Sequence, residues 1–229
     1  MKFNFVIDLS KVTGQDAKTF YSALAKASKE ASEAFTAYVR DFYTVNKRLD
    51  YEERESDPVW VKLHQEKEDR RHELVGFNML CFDALAKDII ASGVPIRKFS
   101  DLYHDKQARI KSLPVIAKHV RLDYPDQVKG GMAATMNIRE ADKFVPELIE
   151  EFKLCAKKNE LLALPGLAEA ISSAASSKHL PALAELSLDS TLGDERVRFI
   201  HRLKRSRSTL FQSVIDQLER ANDPLAKGW

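Results

Sequence analysis

The chain has 229 residues, of which 44% are hydrophobic and 31% charged. Lys and Arg number 36 against 34 Asp and Glu, a formal net charge of +2, which excludes a histone-like or a strongly acidic protein. Any preference for a charged partner must therefore come from local patches of charge. With only eight Gly and eight Pro, the composition disfavours all-β and disordered chains and favours helices.

The first predicted element is a short strand at the N-terminus. From Lys2 to Leu9, the side chains of Phe3, Phe5 and Ile7 alternate with polar ones, the period of two typical of a half-buried strand. A single strand needs an edge to pair with. We therefore expect this segment to add to another protein, to pair with a second copy of the chain, or to be an extended arm.

A long helix is predicted next. Thr13 and Asp16 resemble a capping box and begin a helix that runs to about Leu49. Apolar side chains recur along it at spacings of three and four, which predicts a seam that packs on another helix. The seam comprises Phe20, Leu24, Ala27, Ala31, Ala34, Tyr38, Phe42, Val45 and Leu49.

A second long helix begins with Asp57 as its N-cap and Pro58 in its first turn, and Gly93 ends it near Ser92. Its first half is mostly charged and its second half is apolar on most sides, so the two halves are expected to differ in burial. The two long helices predict an antiparallel hairpin.

The helices after Phe99 are predicted to be shorter, and the last long one begins at Asp194. Gly130-Gly131 indicates either a hinge or a close contact. The chain is therefore predicted to be all-α, a bundle of about seven or eight helices with one short N-terminal strand. We expect an N-terminal helical domain over 1–158 and a C-terminal helical subdomain over 159–229, with one continuous domain as the alternative.

The strongest candidate binding site lies in the last helix, where six of the twelve residues from 196 to 207 are basic and none is acidic. They are Arg196, Arg198, Arg202, Lys204, Arg205 and Arg207. Like charges at helical spacing repel, so an anion would relieve them, and guanidinium groups bind phosphate through paired hydrogen bonds. The alternative is that these arginines pair with a partner or with the acidic stretch from Glu140 to Glu151.

Two further basic patches are candidates for extending that surface. At the end of the first helix, aromatic and basic side chains interleave, as in proteins that hold single-stranded nucleic acid by stacking and charge. This patch comprises Tyr38, Arg40, Phe42, Tyr43, Lys47, Arg48 and Tyr51. Among its aromatic residues, Tyr38 and Phe42 belong to the predicted seam, so only Tyr43 and Tyr51 are candidates for stacking on a base. The second patch comprises Lys111, Lys118 and Arg121, for which scattered surface charge is the alternative.

No set of residues predicts catalysis or metal binding. His64, Glu68 and His72 follow one another at spacings of four, but no second helix supplies a matching pair. Cys81 and Cys155 lie in apolar helical patterns, and the chain has neither a nucleophile elbow nor a Gly-rich phosphate loop. We expect a non-enzymatic, cytoplasmic protein without a metal or cofactor.

A short strand, a long helix and then the segment Tyr124-Pro125-Asp126-Gln127-Val128 before another helix follow in an order that resembles the helical N-terminal lobe of transposon-type RNA-guided nucleases. The resemblance covers the first 150 residues, and this chain has no room for the nuclease part with its acidic triad. The resemblance implies a nucleic-acid partner.

These features predict a helical nucleic-acid-binding protein, or a subunit of a nucleoprotein complex, that contacts phosphates largely independently of base sequence. The alternative is a protein-interaction module, such as an adaptor, an inhibitor or an assembly subunit, that docks a partner through its helices or its N-terminal strand. A second copy of the chain is one such partner, which would give a homodimer. No membrane partner is expected, because charged residues interrupt the most apolar stretch, Leu74 to Ser92.

Overall fold

The computed structural model describes residues 11–45 and 56–227, except for the side chains of residues 42–45. The predicted strand from Lys2 to Leu9 lies outside the described residues, as do Lys47, Arg48 and Tyr51. The side chain of Tyr43 also lies outside them.

The all-α prediction is confirmed for the described residues, which form nine α-helices and no strand. The helices are α1 (Gly14–Val45), α2 (Pro58–Ala91), α3 (Lys106–Val120), α4 (Asp126–Ala134), α5 (Val145–Lys157), α6 (Leu164–Ala174), α7 (Leu180–Leu188), α8 (Arg196–Arg205) and α9 (Thr209–Arg220). Short 3-10 helices cover Phe99–Tyr103, Arg139–Phe144, Ser177–His179, Ser190–Glu195 and Pro224–Ala226. None of the described helices is both long enough and apolar enough to cross a bilayer.

The predicted number of helices was too low because the last long helix is interrupted. Arg207 adopts a left-handed conformation with φ 53°, and the Ser208 hydroxyl then accepts a hydrogen bond from Leu210 N at 3.2 Å. A left-handed residue ends one helix and a serine N-cap begins the next. Most of the basic segment therefore lies in α8. The sequence spacing predicts a buried apolar stripe along one continuous helix, which the structure divides between α8 and α9. The predicted stripe comprises Val197, Ile200, Leu203, Leu210, Val214 and Leu218.

The structure divides into two compact units, Met1–Cys81 and Phe82–Trp229. The boundary predicted at 158/159 lies inside the second unit and stays a prediction of a further subdivision. At that point α5 ends and Asn159 takes a left-handed φ of 61°, which marks the end of a helix.

In the first unit, α1 and the described part of α2 run antiparallel. Phe20 lies 5.5 Å from Phe77, and Phe35 lies 5.6 Å from Trp60, measured between ring centroids. Asp57 caps α2 as predicted, because its carboxylate accepts a hydrogen bond from Val59 N at 2.8 Å.

The predicted seam of α1 differs from the observed buried face. Ala17 and Tyr21 are buried, whereas Phe20 is 55% exposed and Ala34 is also exposed. On a helix, adjacent residues are about 100° apart, so the buried face is rotated by about one residue from the predicted one at this end.

The second unit contains a continuous core in which α4 and α6 approach each other closely. A Cβ atom built on Gly130 would lie 2.6 Å from the Leu162 carbonyl oxygen, and one on Gly166 would overlap the Gly130 carbonyl. Of the two predicted roles for Gly130-Gly131, the structure therefore shows the close contact. Helix α6 also packs on α8, the helix that carries the basic residues.

Candidate nucleic-acid interface

Helix α8 is amphipathic and its apolar face anchors it in the second unit. Phe199, Ile200 and Leu203 are fully buried, and Phe152 of α5 meets Phe199 edge to face at 5.3 Å. The predicted stripe identified Ile200 and Leu203 but not Phe199. Because the apolar face is fixed, the basic residues are distributed around the remainder of the helix.

Arg196 is part of the folded core rather than of the surface. Its guanidinium is buried and binds both carboxylate oxygens of Asp223, at 2.8 and 3.3 Å. It also donates to the carbonyl oxygens of Gly193, at 2.9 Å, and of Ser187, at 3.3 Å. The guanidinium lowers the pKa of the Asp223 carboxyl through their hydrogen bond. Arg196 is therefore left out of the interface that its sequence position suggested.

Arg202 is half-buried and satisfies the end of α6. Its Nη2 and Nε donate to the Ala175 carbonyl oxygen at 2.6 and 3.2 Å, which gives one of the last carbonyls of that helix a partner. Burial lowers the pKa of Arg202, and the nearby charges of Arg205 and Arg139 lower it further. Three guanidinium groups thus lie close enough to repel one another.

The other basic side chains of the segment face solvent. Lys204, Arg205 and Arg207 are exposed, and the Lys204 ammonium lies over the Phe211 ring at 5.8 Å from its centroid. In the part of the chain that the structure describes, no carboxylate forms a salt bridge with Arg205 or Arg207. These two guanidinium groups remain able to bind an external anion.

A pocket of about 400 Å³ lies between α6 and α8. The pocket is lined from α6 by Glu169, Ser172 and Ser173, and from α8 by Arg198, His201 and Arg205. Arg198 contacts Glu195 through its Nε at 2.9 Å, which leaves its two Nη groups for another acceptor. The structure thus brings two predicted binding residues, Arg198 and Arg205, to one concave site.

The acidic stretch that was the alternative partner of these arginines is engaged elsewhere. Glu140 pairs with Lys106 at 2.9 Å, and Glu151 pairs with Lys129. The arginines that form internal pairs use Asp223 and Glu195 instead. Internal pairing therefore accounts for part of the basic segment, through Glu195 just before α8 and through Asp223, 27 residues after Arg196.

The described residues of the other predicted patches lie on α1 and on or next to α3. Arg40 is exposed on α1 in the first unit and lies 3.7 Å from Asp41. Lys118 and Arg121 are exposed at the end of α3, where they line a separate pocket of about 360 Å³ with Glu147. Lys111 is exposed on the same helix.

The residues weighed for a metal site on α2 contact other groups. His64 stacks on Trp60, with 4.7 Å between ring centroids and 6° between planes. Glu68 binds Arg71, with 2.8 Å between the carboxylate and Nε, and His72 lies next to the same guanidinium at 3.3 Å. These contacts give each member of the trio a structural role.

Sequence reasoning missed a buried ionic cluster between α4 and α5. The Lys129 ammonium donates to Glu151 at 2.5 Å and to Glu160 at 3.3 Å, and the Cys155 thiol lies 3.2 Å from Glu160. Burial alone lowers the pKa of Lys129, but the hydrogen bond to Glu151 and the neighbouring charges raise it overall; burial raises the pKa of Cys155. Glu151, Cys155 and Glu160 also bring three potential metal ligands together, and the lysine ammonium supplies the cation there.

Comparison with known proteins identifies no relative. No protein-family model, no curated protein and no solved structure matches the chain.

Proposed function

We propose that the protein binds nucleic acid without catalysing a reaction, alone or as a subunit of a nucleoprotein complex, through the solvent-facing basic residues of α8. The observation that carries the proposal is the pocket wall formed by Arg198 and Arg205, together with the exposed guanidinium group of Arg207. Arg205 and Arg207 form no salt bridge among the described residues, and Arg198 uses only its Nε for Glu195, so guanidinium groups remain that can bind phosphate oxygens.

The electrostatics of the site support an anionic partner. Burial lowers the pKa of Arg202, and the charges of Arg205 and Arg139 lower it further. Like charges held together raise the free energy of the unbound protein. A polyanion placed against α8 would remove that repulsion and release its own condensed counterions.

The same residues favour phosphate contacts over base readout. The site presents guanidinium groups, two serines, a histidine and one carboxylate, that of Glu169, around the pocket. Phosphate contacts fix a protein on nucleic acid but carry no sequence information directly. We therefore expect binding that depends weakly on base sequence and strongly on salt.

The test compares two double variants that change the net charge equally. Arg205→Glu with Arg207→Glu reverses the two exposed guanidinium groups of the site, whereas Lys153→Glu with Lys157→Glu reverses two exposed lysines on α5. Fluorescence anisotropy would measure the binding of labelled single- and double-stranded DNA and RNA at about 50 and 200 mM salt. Arg202 is kept unchanged because it holds the Ala175 carbonyl.

We expect the arginine pair to weaken binding strongly and the lysine pair to weaken it little. Each lost phosphate contact should also reduce the slope of log K against log salt by about 0.9 for duplex DNA, so the arginine pair should reduce it by about 2. Equal effects of the two double variants, or a wild-type protein that binds none of the four nucleic acids at low salt, would overturn the proposal.

A second candidate function, that of a protein-interaction module, is favoured by the apolar exposure of the first unit. Six large apolar side chains there are at least 40% exposed: Phe20, Val59, Val61, Val75, Met79 and Leu80. Three of them, Val75, Met79 and Leu80, lie within two turns of α2, and exposed apolar patches mark protein-binding sites. Light scattering of the full chain would show a homodimer that Met79→Glu dissociates and that salt hardly affects; a monomer at all concentrations would exclude the homodimer.

A further inference from the structure

The pocket between α6 and α8 contains a buried hydroxyl group without a hydrogen-bond partner. Ser172 is 5% exposed, and its Oγ has no partner among the described residues. Two other buried helical serines behave differently. Ser112 donates to the Ala108 carbonyl at 2.8 Å, and Ser187 donates to the Leu183 carbonyl at 2.7 Å.

This difference indicates that the Ser172 hydroxyl is available to a ligand. A serine in a helix ordinarily donates to the carbonyl four residues earlier when it is buried, and a buried hydroxyl left unpaired costs free energy. Ser173, its exposed neighbour, lies on the same pocket wall. A ligand oxygen in the pocket would therefore gain a donor that the protein does not use internally.

Two negative or partly negative groups in or beside this pocket accept hydrogen bonds from protein donors. Glu169 accepts from the Asn137 side-chain amide at 2.7 Å, and the carbonyl of Ala175 at the end of α6 accepts from Arg202. The partially negative end of that helix is thus covered by a guanidinium group. The donors of the wall are then the guanidinium of Arg205, which forms no salt bridge among the described residues, and the Nη groups of Arg198, whose Nε is bound to Glu195.

We propose that this pocket is a seat for one phosphate group, held by Arg198 and Arg205 with the Ser172 hydroxyl as an additional donor. The proposal rests on the proposed function, because it names the chemistry by which the α8 surface would hold nucleic acid. The same phosphate chemistry has two sources, a phosphodiester of a nucleic-acid backbone and free inorganic phosphate. Two arms of one experiment distinguish them.

The experiment uses the full chain as wild type, Ser172→Ala and Ser112→Ala. Ser112→Ala is the matched control, because it removes a buried helical hydroxyl that already has a partner. Isothermal titration with inorganic phosphate forms the first arm, and anisotropy with a labelled oligonucleotide forms the second. Circular dichroism checks that all three proteins are equally folded.

We expect Ser172→Ala to weaken binding of inorganic phosphate about tenfold, the effect of losing one hydrogen bond to a charged acceptor, and Ser112→Ala to leave it unchanged. A parallel loss with the oligonucleotide identifies the seat as a phosphodiester site. A loss with inorganic phosphate alone supports the seat and assigns it to a free phosphate.

The proposal is overturned if Ser172→Ala binds both probes as tightly as wild type, or if the wild type binds inorganic phosphate no more tightly than chloride at equal ionic strength. The function proposed above fails independently, when the wild type binds inorganic phosphate but no oligonucleotide. If Ser172→Ala leaves the binding of both inorganic phosphate and the oligonucleotide unchanged, and the wild type binds the oligonucleotide, that function is retained and only the seat is removed.

Discussion

Arg196→Met tests whether the first arginine of the basic segment stabilises the fold. The substitution keeps an unbranched side chain of similar length but removes the guanidinium group. Asp223 then loses both of its bonds to that group, and the carbonyl oxygens of Ser187 and Gly193 lose a donor. Both charged side chains are at least nine-tenths buried, so water does not replace these bonds fully.

The expected loss is large for a single substitution. Breaking a buried ion pair by removing one partner costs about 3–5 kcal/mol, because the other charge stays buried and unpaired. With a urea m-value of about 2 kcal/mol/M, a loss of about 4 kcal/mol lowers the midpoint of unfolding by about 2 M. Urea titration followed by far-ultraviolet circular dichroism measures this shift.

Two further variants define the cause. Arg205→Met removes an exposed guanidinium of the same helix and should change stability by less than about 0.5 kcal/mol. Adding Asp223→Asn to Arg196→Met removes the unpaired charge but keeps an oxygen that can accept from Leu225 N, so stability should partly recover. A loss below about 1 kcal/mol for Arg196→Met, or an equal loss for Arg205→Met, refutes the assignment of Arg196 to the core.

Two other predictions concern the core of the second unit. Gly130→Ala should destabilise the protein by about 1–3 kcal/mol because its Cβ would meet the Leu162 carbonyl. Gly76→Ala, in open space on α2, should stabilise it by up to about 1 kcal/mol. Thermal unfolding measures both changes, and equal effects of the two substitutions would contradict the close contact. His119 is buried between Asp88 and Tyr124 at 2.9 Å from each, and burial lowers its pKa from 6.5. The unfolded chain therefore binds the proton more tightly, so the contribution of neutral His119 to stability is complete above pH 6.5 and is lost as pH falls below it. The difference between the urea midpoints at neutral and mildly acidic pH should be smaller in His119→Gln than in wild type. An unchanged difference would argue against His119 as the source of the pH dependence.

The two long helices were predictable because strong local signals mark most of their ends. Asp57 and Pro58 begin α2, and Gly93 follows its end with φ 89°, so capping chemistry decides these boundaries locally. The end of α8 lacks such a signal. Arg207 adopts a left-handed φ although arginine does not favour it, and only the tertiary arrangement of α8 and α9 accounts for the break.

The composition of the basic segment was predictive only in part, because sequence spacing does not distinguish exposed arginines from buried ones. Arg196 lies on the buried side and meets Asp223, which is 27 residues later in the chain. Arg202 meets Ala175, which is 27 residues earlier. Both contacts are long-range in sequence, so no local pattern predicts them. Arg205 and Arg207, which belong to the same predicted set, are exposed in the structure.

The structure assigns different tasks to arginines that the sequence presents as equivalent, and this bears on how the site functions. Arg196 and Arg202 attach both ends of α8 to Asp223 and to the end of α6, and these bonds hold the helix in a fixed position. A rigid helix keeps Arg198 and Arg205 in place before any ligand arrives, so less side-chain entropy is lost on binding. In the proposed function, the structural arginines would therefore contribute to binding indirectly, by fixing the positions of the arginines that face solvent.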